Sequence, residues 1–250
     1  MATRTKLLPA KLRHDAIVEA LLEIRFNTAT LPEIFFGRLA DDASWRTFDR
    51  RRMPAHEIPS SLREVDPNLR YLPEFELAQP GEHRAVRIGQ HVLSYHRTAP
   101  YVGWERFEPE LYEVVGALFR NADDPVITRL GFRYINALRT ELHGIRRLSD
   151  LDLEFTIAGK AVAGSVNVNF TIGASESTQC TVRIATADLA QGALPPATSI
   201  LVDVDISTRD DFKTVDQAEV KNWIAFAHSH EKEQFFRLLR DETIDALKEN

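Results

Sequence analysis

Asp203 and Asp205, in SILVDVDIST (199–208), lie two residues apart and share one face of any strand they occupy. Two such carboxylates can hold Mg²⁺ for phosphoryl or nucleotidyl transfer. That chemistry calls for a third carboxylate and a glycine-rich phosphate loop. The sequence supplies neither, and AGSVNVNF is a poor substitute. The competing role is ion pairing with arginines across neighbouring strands. VITRLGFRYINALR (126–139) sets Arg129 and Arg133 opposite Leu130, Phe132 and Tyr134, and AIVEALLEIRFN (16–27) carries Arg25 beside Glu19 and Glu23. Arg25, Arg129 and Arg133 can clamp an anionic group. They can equally pair with Asp203 and Asp205 across a ladder, each pair contributing about 0.2–1 kcal/mol, and this is the simpler account.

Other candidates are weaker. HSHEKE (228–233) offers His228 and His230, but residues at i and i+2 do not share a helix face, so zinc binding would need a broken helix. Cys180 lies mid-strand at the parity of Val182 and Ile184, which describes a buried, inert thiol better than a nucleophile. Arg46, Arg50, Arg51 and Arg52, with Phe48, form a basic stretch able to grip a partner or a phosphate, diluted by Asp49, Glu57, Glu64 and Asp66. Trp104 and Phe107 fit a staple that packs a helix onto a sheet better than a ligand platform. There is no P-loop, no G-x-G-x-x-G after a strand, no nucleophile elbow, no H-E-x-x-H and no paired C-x-x-C. No catalytic residue, metal site or cofactor is therefore assigned.

Composition sets the frame. The chain has 250 residues, 44% hydrophobic and 27% charged, enough for a real core. A net charge of −6 does not favour nucleic acid as a partner. One cysteine precludes an internal disulfide and fits a reducing compartment. MATRTKLLPAKLRHD is basic and interrupted by Pro9, unlike a secretory signal, and no run is long enough for a membrane span. A cytoplasmic protein is expected.

The elements follow from periodicity. Residues 16–27 alternate as a strand, and 31–45 read as a helix. Residues 46–70, rich in Pro and Arg, read as a long mobile loop. Strands follow at 75–78, 83–89 and 91–97, then a helix from about Pro109 to residue 120. After the strand at 126–139 come strands at 153–158, 165–173, 179–187 and 199–208, with turn signals at Gly164, Gly173-Ala174-Ser175 and Pro195-Pro196. The C-terminus reads as helical, bent near Ser229.

The order of elements in residues 1–124 and 125–250 is alike. Leu22 to Phe26 align with Leu130 to Tyr134 without changing the inward face. A duplicated β-α-β(3–4)-α unit is thereby predicted, its halves joined into one continuous domain: an α+β fold whose curved antiparallel sheet carries helices on one face. This is the element order of the TATA-binding-protein-like fold, and it implies nothing about DNA. A helix-grip fold is the alternative.

The segments AIVEALLEIRF, YVGWERF, RLGFRYIN, LVDVDI and AHSHEKEQFFRLLRDE, in this order, resemble a sporadically distributed prokaryotic family of about this length that has no established activity. The resemblance spans essentially the whole chain. It implies no catalytic residue, and its patchy distribution implies mobile or defence-associated genes. The Pro-Pro usual before the first strand is replaced here by Arg13-His14-Asp15.

Two functions remain in view. The first is a non-enzymatic binding protein that engages a protein partner or an anionic small molecule through the polar sheet face and the 46–70 segment. The second is a metal-dependent phosphoryl-transfer or nuclease-type enzyme built on Asp203 and Asp205. A homodimer is compatible with either.

Overall fold

The period of two over residues 17–27 produces β1 (Ile17–Asn27), which buries Ala20, Leu22, Ile24 and Phe26 and turns Glu19, Glu23 and Arg25 to the other side. The computed structural model describes residues 8, 9, 12–162, 164–173, 175–192 and 194–248. Most of the basic stretch before Leu12, and Ala174 in the turn at 173–175, lie outside the described residues.

The chain continues through α1 (Pro32–Asp41), β2 (Asp49–Arg52), α2 (Ser60–Val65), β3 (Phe75–Gln79), β4 (Arg84–Ile88), β5 (Val92–Thr98) and α3 (Trp104–Asn121). Its second part holds β6 (Val126–Arg139), α4 (Thr140–His143), β7 (Thr156–Ile157), β8 (Lys160–Ala161), β9 (Asn167–Gly173), β10 (Thr178–Thr186), β11 (Thr198–Thr208), α5 (Gln217–Arg237) and α6 (Asp241–Leu247). The fold is α+β. Nine strands form one open sheet in the order β2-β3-β4-β5-β1-β6-β11-β10-β9, every neighbouring pair antiparallel. The edges, β2 and β9, do not meet.

The apolar face of this sheet is covered by helices. α3 buries Phe107, Leu111, Val114, Val115 and Leu118, and α5 buries Val220, Ile224 and Ala227. α5 lies over β6 and β11 and against α3, while α1 packs on α3. Phe26 meets Phe35 of α1 edge-on, with centroids 5.3 Å apart. Among the described residues no helix is long and apolar enough to cross a membrane.

Four expectations about elements are corrected. Residues 46–70 are not a structureless loop: they hold β2, a 3₁₀ turn at Pro54–Glu57 and α2. Tertiary contacts order them, since Trp45 and Phe48 are buried, Met53 N–H donates to Glu74 O at 2.8 Å, and Arg63 pairs with Glu74 with both side chains buried. None of these is visible as a local period. The second long helix starts at Trp104, five residues before Pro109. Gly103, at φ 86°, breaks the preceding extended segment, and Trp104 and Phe107 pack edge-on at 6.4 Å. Residues 153–158 supply only the two-residue β7, paired with β8 apart from the main sheet. α5 runs through Ser229 to Arg237. The chain turns at 238–240 instead, where Leu239 bridges Leu151 and the Arg240 guanidinium donates to Leu151 O and Ser149 O.

Candidate functional site

The polar face of the sheet collects Arg25, Arg129, Arg133, Asp203 and Asp205, and pairs the three arginines with carboxylates. Arg133, on β6, donates Nε–H and Nη2–H to the two carboxylate oxygens of Asp203 on β11, at 2.7 and 2.5 Å. Arg25 donates to Glu23 at 2.8 Å and its guanidinium lies 4.1 Å over the Tyr71 ring. Arg129 donates to the same Glu23 oxygen at 2.9 Å and reaches Asp205 at 3.8 Å. Glu19 accepts from His96 at 2.8 Å, and this bond, with the imidazole charge, holds the Glu19 carboxyl below its ordinary value against the opposing effect of burial. At the edge, Glu76 is buried between Arg51 at 2.6 Å and Arg87 at 2.8 Å. Arg50 donates to Ala40 O and Asp41, whereas Arg46 and Arg52 stand exposed.

Asp203 and Asp205 therefore do not form an open pair. Asp203 is taken up by the Arg133 fork. Among the described residues Asp205 has only the distant Arg129 within ion-pair range, and desolvation pushes its pKa up. Among the described residues no group of three or more His, Cys, Asp or Glu side chains is placed to hold a metal ion. Cys180 is buried, its thiol pushed up to about 12 by desolvation.

A second locale went unrecognised in the sequence. On the helix side of the sheet, a cavity of about 770 Å³ opens between the start of β1, the far half of β6, the entry to α3 and the last turns of α5. This is the volume of a small-molecule pocket. Its apolar wall includes Leu12, Ala16, Ile17, Val102, Phe235 and Phe236. Trp104 lies flat on His228, ring centroids 3.7 Å apart and planes 5° from parallel. The hydroxyls of Tyr101 and Tyr134 hydrogen-bond to each other at 2.7 Å, and burial raises both pKa values.

Three further polar side chains of the wall, Asn136, His228 and Glu231, are buried in whole or in part. Asn136, 2% exposed, has no acceptor for Nδ2, and His228 Nδ1 is likewise buried without a partner. Glu231 is 5% exposed and forms no ion pair among the described residues. Burial raises its pKa well above the ordinary carboxylate value, opposed only by the charge of Lys232. Burial, then the Lys232 charge, lowers His228 to about 4. Burial thus disfavours the charged forms of both the His228 imidazole and the Glu231 carboxyl. The rim carries Asp15, Glu105, Arg106 and Lys232.

His228 was weighed from the sequence as half of a zinc pair, and Trp104 as a staple. The structure joins the two by stacking, and leaves His230 against Phe226 with centroids 4.0 Å apart. Asn136 and Glu231 were missed, although a signal existed. Asn136 is the polar member of the inward series Leu130, Phe132, Tyr134, Asn136, Leu138. Glu231 stands on the stripe Val220, Ile224, Ala227, Glu231, Phe235. A polar residue on an apolar register marks a buried polar group, and buried polar groups ordinarily have partners.

Neither a protein-family model nor a curated protein matches the sequence.

Proposed function

We propose that this chain is a binding protein rather than an enzyme, and that it holds a small molecule in the cavity between α3 and α5. One observation carries the reading: the side chains of Asn136, His228 and Glu231, polar residues on the apolar side of the sheet, line one cavity, and neither Asn136 Nδ2 nor His228 Nδ1 has a partner in the protein. Each such group costs about 1–3 kcal/mol while unpaired, and a ligand that pairs them recovers that cost. The wall supplies no activated nucleophile. The two tyrosine hydroxyls bind each other and are held protonated, and His228, pressed on Trp104, is a weak base.

The framework fits two copies of one unit. In β1–β5 and again in β6–β11 the first strand pairs with the last of the large sheet, the others following outward, and β1 pairs with β6 at the junction. That order supports the duplicated, TATA-binding-protein-like reading, and it sets the cavity where the halves join. On the polar face, a protein partner or an anionic ligand would make first contact with the exposed Arg46 and Arg52. It would engage Arg25, Arg129 or Arg133 only by displacing Glu23, Asp203 or Asp205. The cavity asks for no such exchange, and it is the preferred site.

The test is a thermal-shift screen of neutral, acidic and basic small molecules on the wild-type chain and on Val102→Trp, whose indole fills the cavity from its wall. A ligand at a hundred times its Kd adds about 2.7 kcal/mol, roughly 5–10 °C at this chain length, and loses that shift in Val102→Trp. Equal shifts in the two proteins for every compound would refute the site.

A further inference from the structure

We infer that β9 is the seam of a twofold dimer, in which the β9 strands of two copies of this chain pair antiparallel around Phe170 and join their sheets into one. The inference is independent of the cavity and rests on how the two edges of the sheet differ.

A free strand edge presents a row of unpaired N–H and C=O groups that invites another strand, and proteins blunt such edges with charge, shortness or a covering side chain. β2 is blunted in all three ways. It is four residues long, it reads Asp49-Arg50-Arg51-Arg52, and Arg50 reaches back to Ala40 O and Asp41. β9 has none of these defences. Its seven residues, NVNFTIG, hold no charge and no proline, all but Val168 are exposed, and they pair with β10 in unbroken register. Phe170 and Ile172 stand opposite the buried Val182 and Cys180, on the helix side of the sheet, yet are 37% and 39% exposed. The covering helix, α5, lies over β6 and β11 instead.

The register follows from which backbone groups are free. Thr186 N–H donates to Val166 O at 2.9 Å, whereas Ala187 N–H donates to Ser199 O and Arg209 N–H to Ser177 O. Even-numbered residues of β10 therefore bond towards β9, and odd-numbered ones towards β11. Continued along β9, this alternation points the N–H and C=O of Asn167, Asn169, Thr171 and Gly173 away from the sheet. A twofold axis at Phe170 sets Asn169 against Thr171 of the second copy, and Asn167 against Gly173. Every free residue then meets a free residue, and four such pairs exchanging two bonds each give about eight hydrogen bonds. On the helix side Phe170 meets its own copy at a non-hydrogen-bonded position, where side chains are closest, and Val168 meets Ile172. On the polar side amide meets hydroxyl, and no like charges face each other. The alternative, β9 against β2 of a neighbour, would lay Asp49 and three arginines on an uncharged strand and would grow as an open array in place of a closed pair.

Sedimentation equilibrium and cysteine cross-linking test the seam. One strand from each copy makes a small interface, so the wild-type chain is expected to dimerise reversibly, with a Kd on the order of 10 µM. Thr171→Pro removes an outward N–H and leaves the bonds to β10, and Phe170→Lys sets two ammonium groups face to face. Each should weaken the dimer at least about tenfold. Under oxidised glutathione Phe170→Cys should link to its own copy, since the paired Cα atoms lie about 4.5 Å apart. Ile172→Cys should not, because its two copies stand about 14 Å apart, but it should link to Val168→Cys when those variants are mixed. The wild-type chain, with Cys180 buried, is the control. A chain that is monomeric at about 200 µM and unlinked at residue 170 overturns the inference and leaves the edge to a foreign strand. A dimer that survives both Thr171→Pro and Phe170→Lys, or that links Ile172→Cys to itself in place of Phe170→Cys, puts the contact elsewhere and overturns it as well. The cross-linking pattern decides the register even where Thr171→Pro does not fold.

Discussion

Replacing Arg133 by leucine is predicted to be far more damaging than replacing its partner. Asp203 is 5% exposed and receives both bonds of the Arg133 fork, at 2.7 and 2.5 Å. Arg133→Leu leaves that carboxylate buried and unpaired, a loss of about 3 kcal/mol, at the low end for breaking a buried pair because water reaches the arginine side. At this chain length the melting point falls by about 6–12 °C. Asp203→Leu leaves a guanidinium whose side chain is 37% exposed and which lies near Asp205 and Glu19. It can turn to water, and the expected loss is about 1 kcal/mol. The double variant, with leucine at both positions, removes both charges and should lie close to wild type, a coupling of about 3 kcal/mol or more. Urea denaturation of the four proteins measures the cycle. Equal single losses that add in the double variant would refute the argument that Arg133 is held as half of a buried pair, and would reopen it as a group awaiting a ligand.

Other perturbations give outcomes of known sign. Burial holds His228 at about 4 against an ordinary 6.5, so between those values the unfolded chain binds a proton that the folded chain does not, and stability falls as pH drops through the window. His228→Phe keeps a ring on Trp104 and should flatten that limb, by at most about 3 kcal/mol, in urea melts from pH 4 to 7. Glu231 is held neutral well above an ordinary 4.5, so above that pH the unfolded chain releases a proton the folded chain keeps, and stability falls as pH rises. Glu231→Gln should therefore gain on wild type at pH 8 relative to pH 5, measured by the same melts. Cys180, fully buried with its thiol pushed up to about 12, should react with an aromatic disulfide reagent only at the rate of global unfolding; rapid labelling without denaturant would contradict its placement. A Cβ at Gly89 would stand 2.6 Å from Leu72 O, a backbone atom with little room to move, so Gly89→Ala should cost about 1–3 kcal/mol in denaturant melts.

What the sequence disclosed, it disclosed through period. β1, β6, β10 and β11 alternate so cleanly that their inward faces, and with them the placement of Arg129, Arg133, Asp203 and Asp205 on one side of the sheet, could be read directly. Residues 46–70 could not, because their order comes from partners distant in the chain: Arg63 is fixed by Glu74, and Arg51 by Glu76. The bend expected at Ser229 was local reasoning of the same kind. Ser229 sits one residue after His228, whose ring is stacked on Trp104 more than a hundred positions earlier, and the helix continues there. The cavity was hidden for the same reason. Ala16, Tyr134 and Glu231 carry no joint pattern, and only the pairing of β1 with β6 and the crossing of α5 bring them together.

The two sides of the sheet solve opposite problems, and the contrast bears on function. On the polar face Arg25, Arg51, Arg87, Arg129 and Arg133 each end on a carboxylate, so each of these strong donors is occupied. On the apolar face, where an unpaired polar group costs most, Asn136 Nδ2 and His228 Nδ1 are left without partners, and both residues line the cavity with Glu231. Leucine at 136 and phenylalanine at 231 would fit the registers they occupy and remove the cost. Trp45 Nε1, His56 Nδ1, Arg70 Nε and Arg139 Nε are also buried without partners, but Asn136 and His228 differ from them in lining this cavity together with the buried Glu231. A molecule bound in the cavity, as proposed above, would offset part of that cost.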